Sequence, residues 1–279
     1  MSPLNILIFG AGAIGSVVGG LMAKAGHRVT LLGRDPHMAR VREQGLRISG
    51  IWGEHHVTAI ETATRFEAVS ERFGIVLVTV KSYDTPEAAV AIASKVGPET
   101  LVGSYQNGLG NAEAIATAVG WKRTFGARAI YGVWLPEPGH AEVTVIAEPT
   151  ALGVYRPEAP AARVRELAEA MNVAGLPTVY TDRIETLQWA KVAYNCALNP
   201  LSALLDVPYG DLAETEDTRS IMAEVVHELY AVGRARGVAL EPTDADDYLS
   251  RFYKELLPPT AAHYASMRED FRRRRHRDR

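Results

Sequence analysis

The opening of the chain constrains its fold more than any other stretch. "NILIFGAGAIGS" (5–16) is an apolar, β-branched run that ends at Gly10, continues through Gly12 and Gly15, and leads into the helix-forming stretch 13–26. In a strand–turn–helix unit each glycine has its own physical task. The first permits a tight turn, the second lets a pyrophosphate approach the backbone, and the third lets helix and strand pack closely. The helix then begins with Ala13, Ile14 and Gly15. Its first N–H groups have no partner inside the helix, and its macrodipole puts partial positive charge there. The pattern predicts a dinucleotide site on a Rossmann-type unit.

The rest of the first half alternates short apolar runs with helical patterns. Strands are expected at 28–33, 74–81 and 99–105. Helices are expected at 35–45, 85–96 and 110–120, the first with Asp35 as N-cap and Pro36 as its first residue. "LRISG" and "HVTAIET" read as an added strand pair, 124–155 as an antiparallel extension, 160–173 as a helix and 176–181 as a strand. This alternation predicts a doubly wound sheet. After Asp182 strand-like runs almost vanish, and helical patterns occupy 183–206, 217–236, 243–256 and 260–275. The fold class is thus an α/β Rossmann-type dinucleotide-binding domain (1–181) followed by an all-helical domain (182–279).

Loops at the carboxyl ends of such strands line the ligand crevice. After the second strand come Arg34 and Asp35. An Asp before Pro is a good N-cap, which leaves the Arg34 guanidinium for a 2′-phosphate and favours NADP(H). Lys81 and Asn107 follow the next two strands and are candidate cofactor or substrate contacts.

In "ETLQWAKVAYNCALNPLSALLDV", from Glu185, the residues Lys191, Asn195 and Asn199 recur every fourth position, with Ser202 beside them. Apolar residues fill much of the remaining circumference, so the helix is expected to be nearly buried, with Cys196 as a small buried hydrophobe and a kink just after Asn199 caused by Pro200. A buried amide without a partner costs about 1–3 kcal/mol, and a buried ammonium more. The stripe therefore serves either an inter-helix network or a cavity for a polar ligand. A lysine beside a reduced nicotinamide has a clear use, because a ketone that receives hydride needs a proton on its oxygen.

Composition narrows the class. The 279 residues are 47% hydrophobic and carry a net charge of −3, so no global field draws the chain to nucleic acid or membrane. The six Arg among the last eight residues have no aromatic residues between them and read as a solvated terminus. No basic segment precedes a long apolar run at the start, so no secretory leader is expected. No apolar run is long enough for a membrane span and the His residues lack metal-ligand spacing, so a cytoplasmic enzyme or binding protein is expected.

Taken together, "GAGAIG", "VTVKSYD", "QNGLGN" and "WAKVAYNCALNPLSALL" resemble the ketopantoate reductase (2-dehydropantoate 2-reductase) family, in order and at suitable spacing over about residues 4–278. The resemblance implies NADPH-dependent reduction of 2-dehydropantoate to pantoate, on the route to pantothenate and coenzyme A. It implies Lys191 as general acid, Asn107, Asn195 and Asn199 as cofactor and substrate contacts, and Arg34 and Lys81 as cofactor contacts. The family's late motif places a Ser before Met and a substrate-contacting Glu twelve residues on. Here Ser266 stands in the first place and Asp278 in the second, one residue from the end of a carboxyl-terminal domain that looks shortened. Alternatives are a reductase of another small 2-keto acid and an NADP-binding protein with little catalysis. A homodimer is a further expectation.

Overall fold

The computed structural model describes residues 2–69, 72–265 and 267–268. The chain divides into two compact units, Met1–Ile184 and Glu185–Arg279.

The first unit runs β1 (Asn5–Phe9), α1 (Ala13–Lys24), β2 (Arg28–Leu32), α2 (His37–Gln44), β3 (Leu46–Gly50), β4 (His55–Val57), β5 (Glu61–Ala63), β6 (Ile75–Val78), α3 (Thr85–Ala93), β7 (Leu101–Ser104), α4 (Asn111–Val119), β8 (Thr124–Glu137), β9 (His140–Val154), α5 (Ala161–Val173) and β10 (Thr178–Tyr180). One ten-stranded sheet has the order β4-β3-β9-β8-β7-β6-β1-β2-β5, with β10 beside β9. The stretch β8-β7-β6-β1-β2 is parallel throughout. Strands buried on both faces need apolar residues at every position, and Ile75–Val78 supplies them. Ile75 and Leu77 face a core shared with α1 and α5. Val76 and Val78 face a second core shared with α3 and α4.

Helix α1 is buried from Gly15 to Ala23. Two adjacent glycines make this possible. A Cβ on Gly19 would sit 2.5 Å from Leu31, and one on Gly20 would sit 2.6 Å from Ile48. Strands from distant parts of the sheet order, β2 and β3, therefore pack on one helix, and the sheet curls around it. The long β8–β9 hairpin, antiparallel as expected of 124–155, carries the sheet to β3.

Three local expectations are corrected. The run "HVTAIET" is not one strand. His55–Val57 pairs antiparallel with β3, whereas Glu61–Ala63 lies parallel to β2 at the opposite edge. Alternation specifies a strand but not its partner. Helix α2 starts at His37 rather than Pro36; the Asp35 carboxylate still accepts the Ala39 N–H (2.9 Å), but from outside the cap position. The expected helix from 260 onward is turn and loop through Ala265, after a short 3-10 turn at Pro258–Thr260.

The second unit contains α6 (Ile184–Leu205), α7 (Glu216–Ala235) and α8 (Ala245–Arg251), the last extended by a π-helical turn at Phe252–Leu256. No strand occurs after Tyr180 among the described residues. Thr215 caps α7 by accepting the Thr218 N–H, and Asp244 caps α8 by accepting the Asp246 N–H. Trp189, Ala193, Ala197 and Leu198 of α6 pack with Met222, Val226 and Tyr230 of α7 and with Tyr248 and Phe252. Helix α6 continues unbroken through Pro200, which is exposed. It is less buried than its composition suggests. Leu204 and Leu205 are more than half exposed, and Cys196 is exposed rather than buried. Small residues such as Ala193 and Ala197 make the close contacts, so counting large apolar residues misjudges which face is covered.

Candidate functional site

In the first unit the expected cofactor residues fall just beyond the carboxyl ends of four neighbouring strands: Gly10–Gly15, the turn and the first residues of α1, after β1, Arg34 after β2, Lys81 after β6 and Asn107 after β7. The turn after β1 is tight. Gly10 has φ +109°, and a Cβ there would lie 2.6 Å from the Val80 backbone nitrogen. A Cβ on Gly15 would meet Thr79 Oγ1 at 2.7 Å and Ile8 at 2.8 Å, so this glycine lets α1 sit against β1 and β6. Gly12 differs. A Cβ there would find only the Gly10 oxygen, 4.0 Å away. That open space lies over the start of α1, where the first intrahelical bond runs from the Ser16 N–H to the Gly12 carbonyl. The N–H groups of Ala13, Ile14 and Gly15 precede that ladder, and no acidic side chain stands in the first turn. The cradle suits a pyrophosphate in shape and charge.

Arg34 is 88% exposed and pairs with Asp84 at 3.7 Å. An ion pair this long and exposed contributes little and yields readily to a competing anion. Asp35 is occupied at the start of α2.

Two groups that brace the turn were not legible from spacing. The Thr79 hydroxyl donates to the Gly10 carbonyl (2.8 Å). His37, nearly buried, links three segments. Its Nδ1 accepts the Gly139 N–H (2.9 Å), so the neutral ring carries its proton on Nε2, which donates to Ser16 Oγ (2.8 Å). Burial lowers the His37 pKa below its ordinary value of 6.5. Because the folded value is the lower one, the unfolded chain binds the extra proton first. The stability that His37 contributes is thus complete above about pH 6.5 and is lost as the pH falls below it. His27 and His263 shift the same way, chiefly through burial. Thermal unfolding from pH 7.5 to 5.5 should therefore show a falling Tm, and His37→Gln should reduce that slope. An unchanged slope would assign the pH dependence to other groups.

In the second unit Lys191, Asn195 and Asn199 lie on successive turns of α6, and all three are half-buried. Asn199 Oδ1 accepts a hydrogen bond from Tyr209 OH (2.6 Å), which orients the amide. Tyr209 is itself buried and held edge-on by Tyr194, with ring centres 6.1 Å apart. No periodicity links Tyr209 to the stripe, so the sequence alone did not single it out. Ser202 belongs to the core. Its hydroxyl donates to the Val207 carbonyl (2.6 Å) and accepts the Ala265 N–H. Ser266 and Asp278 lie outside the described residues.

A polar cavity of about 540 Å³ elsewhere in the first unit is lined by Arg40, Arg47, His55, His56 and His140 among others, and contains none of the expected site residues. Among the described residues no cluster of His, Cys, Asp or Glu could hold a metal ion, and no helix is long and apolar enough to cross a membrane.

The chain matches two family descriptions in tandem: "Ketopantoate reductase PanE/ApbA" over residues 6–157 and "Ketopantoate reductase PanE/ApbA C terminal" over residues 183–278. It is 36% identical over 270 residues to a 2-dehydropantoate 2-reductase of Aquifex aeolicus (strain VF5), spanning 97% of this chain and 85% of that one. Among solved structures it is similar to a PanE/ApbA family ketopantoate reductase from Ralstonia eutropha JMP134, with a TM-score of 0.84, 30% identity, and coverage of 97% and 86% of the two chains. A D-mandelate dehydrogenase with NADH and anilino(oxo)acetate shares the fold at a TM-score of 0.80 and 22% identity, covering 95% of this chain and 84% of that one. With both units matched in order, the chain belongs to the ketopantoate reductase family, oxidoreductases that use NADP(H).

Proposed function

We propose that this chain reduces 2-dehydropantoate to pantoate with NADPH, and that Lys191 is the general acid. The observation that carries the reading is the tandem family match over both units, together with 36% identity to a 2-dehydropantoate 2-reductase across 97% of the chain. When bound, the reduced nicotinamide supplies a hydride to the C2 carbonyl carbon. The chain's own residues do the rest. The amides of Ala13, Ile14 and Gly15 hold the pyrophosphate, with Gly12 leaving room for it. Arg34 receives the 2′-phosphate in place of Asp84. Lys81 and Asn107 contact the cofactor, and Asn107 also contacts substrate. The Lys191 ammonium stabilises negative charge developing on the C2 oxygen and gives up the proton that completes the alcohol. Asn199, its Oδ1 taken by Tyr209, turns its NH₂ toward a substrate oxygen, and Asn195 serves the same substrate one turn away. Ser266 and Asp278 are carried into this proposal as substrate contacts.

The decisive assay follows NADPH absorbance with 2-dehydropantoate and a panel of other small 2-keto acids. Turnover is expected to favour 2-dehydropantoate. Preference for another acid would move the substrate assignment, and no turnover on any would overturn the reductase reading. The same assay tests the 2′-phosphate contact. A charge-assisted bond contributes about 1.5–3 kcal/mol, or roughly 10- to 150-fold. Arg34→Ala should weaken NADPH by about that factor and leave NADH nearly unchanged. Equal losses for both would contradict the contact.

A further inference from the structure

Between the loops after β6 and β7 lies a buried chain of hydrogen bonds centred on Thr85. The Ser104 hydroxyl donates to Gln106 Oε1 (3.3 Å). Gln106 Nε2 donates to the Val80 carbonyl (3.0 Å) and to Thr85 Oγ1 (2.6 Å). Thr85 passes its own proton to Asn111 Oδ1 (2.8 Å). Asn111 Nδ2 donates to the Asn107 carbonyl (3.0 Å) and to Ser82 Oγ (3.3 Å), and Ser82 donates to the same Asn107 carbonyl (3.1 Å). Thr85, Ser104, Gln106 and Asn111 are all buried.

The direction of every proton in this chain is determined. Both N–H groups of each amide are used, and each hydroxyl donates once. Turning either amide over would set donor against donor or acceptor against acceptor. The points it holds are specific. Val80 and Ser82 flank Lys81, and the Asn107 carbonyl receives two bonds. The loop beyond Asn107 has little stiffness of its own, with Gly108 at φ +88° and Gly110 at φ +87°. Lys81 and Asn107 are both exposed. A hydrogen-bonded cross-link beneath them ties one loop to the other.

We propose that Thr85 is a positioning residue for the cofactor site, holding Lys81 and Asn107 in register through Gln106 and Asn111. This rests on the reading of Lys81 and Asn107 as cofactor contacts. A merely structural Thr85 would affect stability and nothing else.

The test is Thr85→Val, which keeps the shape and removes both the donor and the acceptor. NADPH affinity is measured by fluorescence titration well below the Tm, alongside steady-state KM and kcat. The expected result is a dissociation constant and KM for NADPH raised about 10- to 100-fold, the scale on which small misplacements act. Thr85→Ser should restore both to within about twofold, since the hydroxyl returns. Thr178→Val removes another buried hydroxyl, one that donates to Leu176, and should lower the Tm without changing NADPH affinity. A Thr85→Val protein that binds NADPH like the parent while unfolding earlier would overturn the proposal, as would failure of Ser to rescue. Should Thr85→Val not fold, Ser82→Ala, at an exposed position, decides: a several-fold loss of affinity supports the cross-link, and unchanged affinity overturns it. A parent chain that binds NADPH without reducing 2-dehydropantoate would sink the proposed reaction while leaving these binding comparisons decisive.

Discussion

Lys191→Ala is expected to lower kcat for 2-dehydropantoate by at least ~10²-fold, the ordinary contribution of a positioned general acid. The alkoxide formed by hydride addition would then have to take its proton from water, without a cation to stabilise it. NADPH affinity should change little, because the proposed phosphate cradle lies wholly within the first unit. Lys191 is half-buried rather than sealed in the core, so its removal should cost the fold far less than it costs turnover. Lys191→Arg separates two parts of the role. A guanidinium keeps the charge but does not release a proton near neutral pH, so it should retain only part of the activity. Stopped-flow and steady-state measurements at saturating NADPH provide the check. Turnover of the Ala variant close to that of the parent would remove Lys191 from the chemistry.

Two neighbouring glycines should respond in opposite ways. Gly12→Ala adds a Cβ to open space, where the nearest atom is 4.0 Å away, so the Tm should hardly move. That space is where the pyrophosphate would sit. Loss of one charge-assisted bond is about 1.5–3 kcal/mol, so NADPH should bind about tenfold or more weakly. Gly10→Ala reverses the pattern. Its φ of +109° is hostile to a Cβ, and that Cβ would lie 2.6 Å from the Val80 nitrogen. Backbone strain of this kind costs on the order of 1–3 kcal/mol, with overpacking added to it. The Tm should fall by several degrees, at about 2–4 °C per kcal/mol for a chain of this size. Calorimetry and NADPH titration on the same preparations distinguish the two. If Gly12→Ala destabilised the fold as much as Gly10→Ala, or left NADPH affinity intact, the cradle assignment would fall.

What could be read from residues alone was whatever depends on near neighbours in the chain. The glycine spacing after a β-branched run specified the turn after β1. The unbroken apolar run Ile75–Val78 specified a strand covered on both faces, and the end of strand-like alternation near Asp182 foreshadowed a helical second unit. Each depends on local sterics or on a repeat of two or 3.6 residues.

Other features needed partners far away in sequence, and only the tertiary structure decided them. Whether "HVTAIET" was one strand or two depended on β3 and β2 at opposite edges of the sheet. Which face of α6 is covered depended on α7 and α8, so Cys196 turned out to be a surface thiol, and Ser202 is tied into the core by the N–H of Ala265, 63 positions away. The Thr85 cross-link joins residues 21 and 26 positions apart, and the His37 bridge reaches Gly139 across 102. A hydrogen bond is recognised by distance and angle in space, and no periodicity along the chain encodes it.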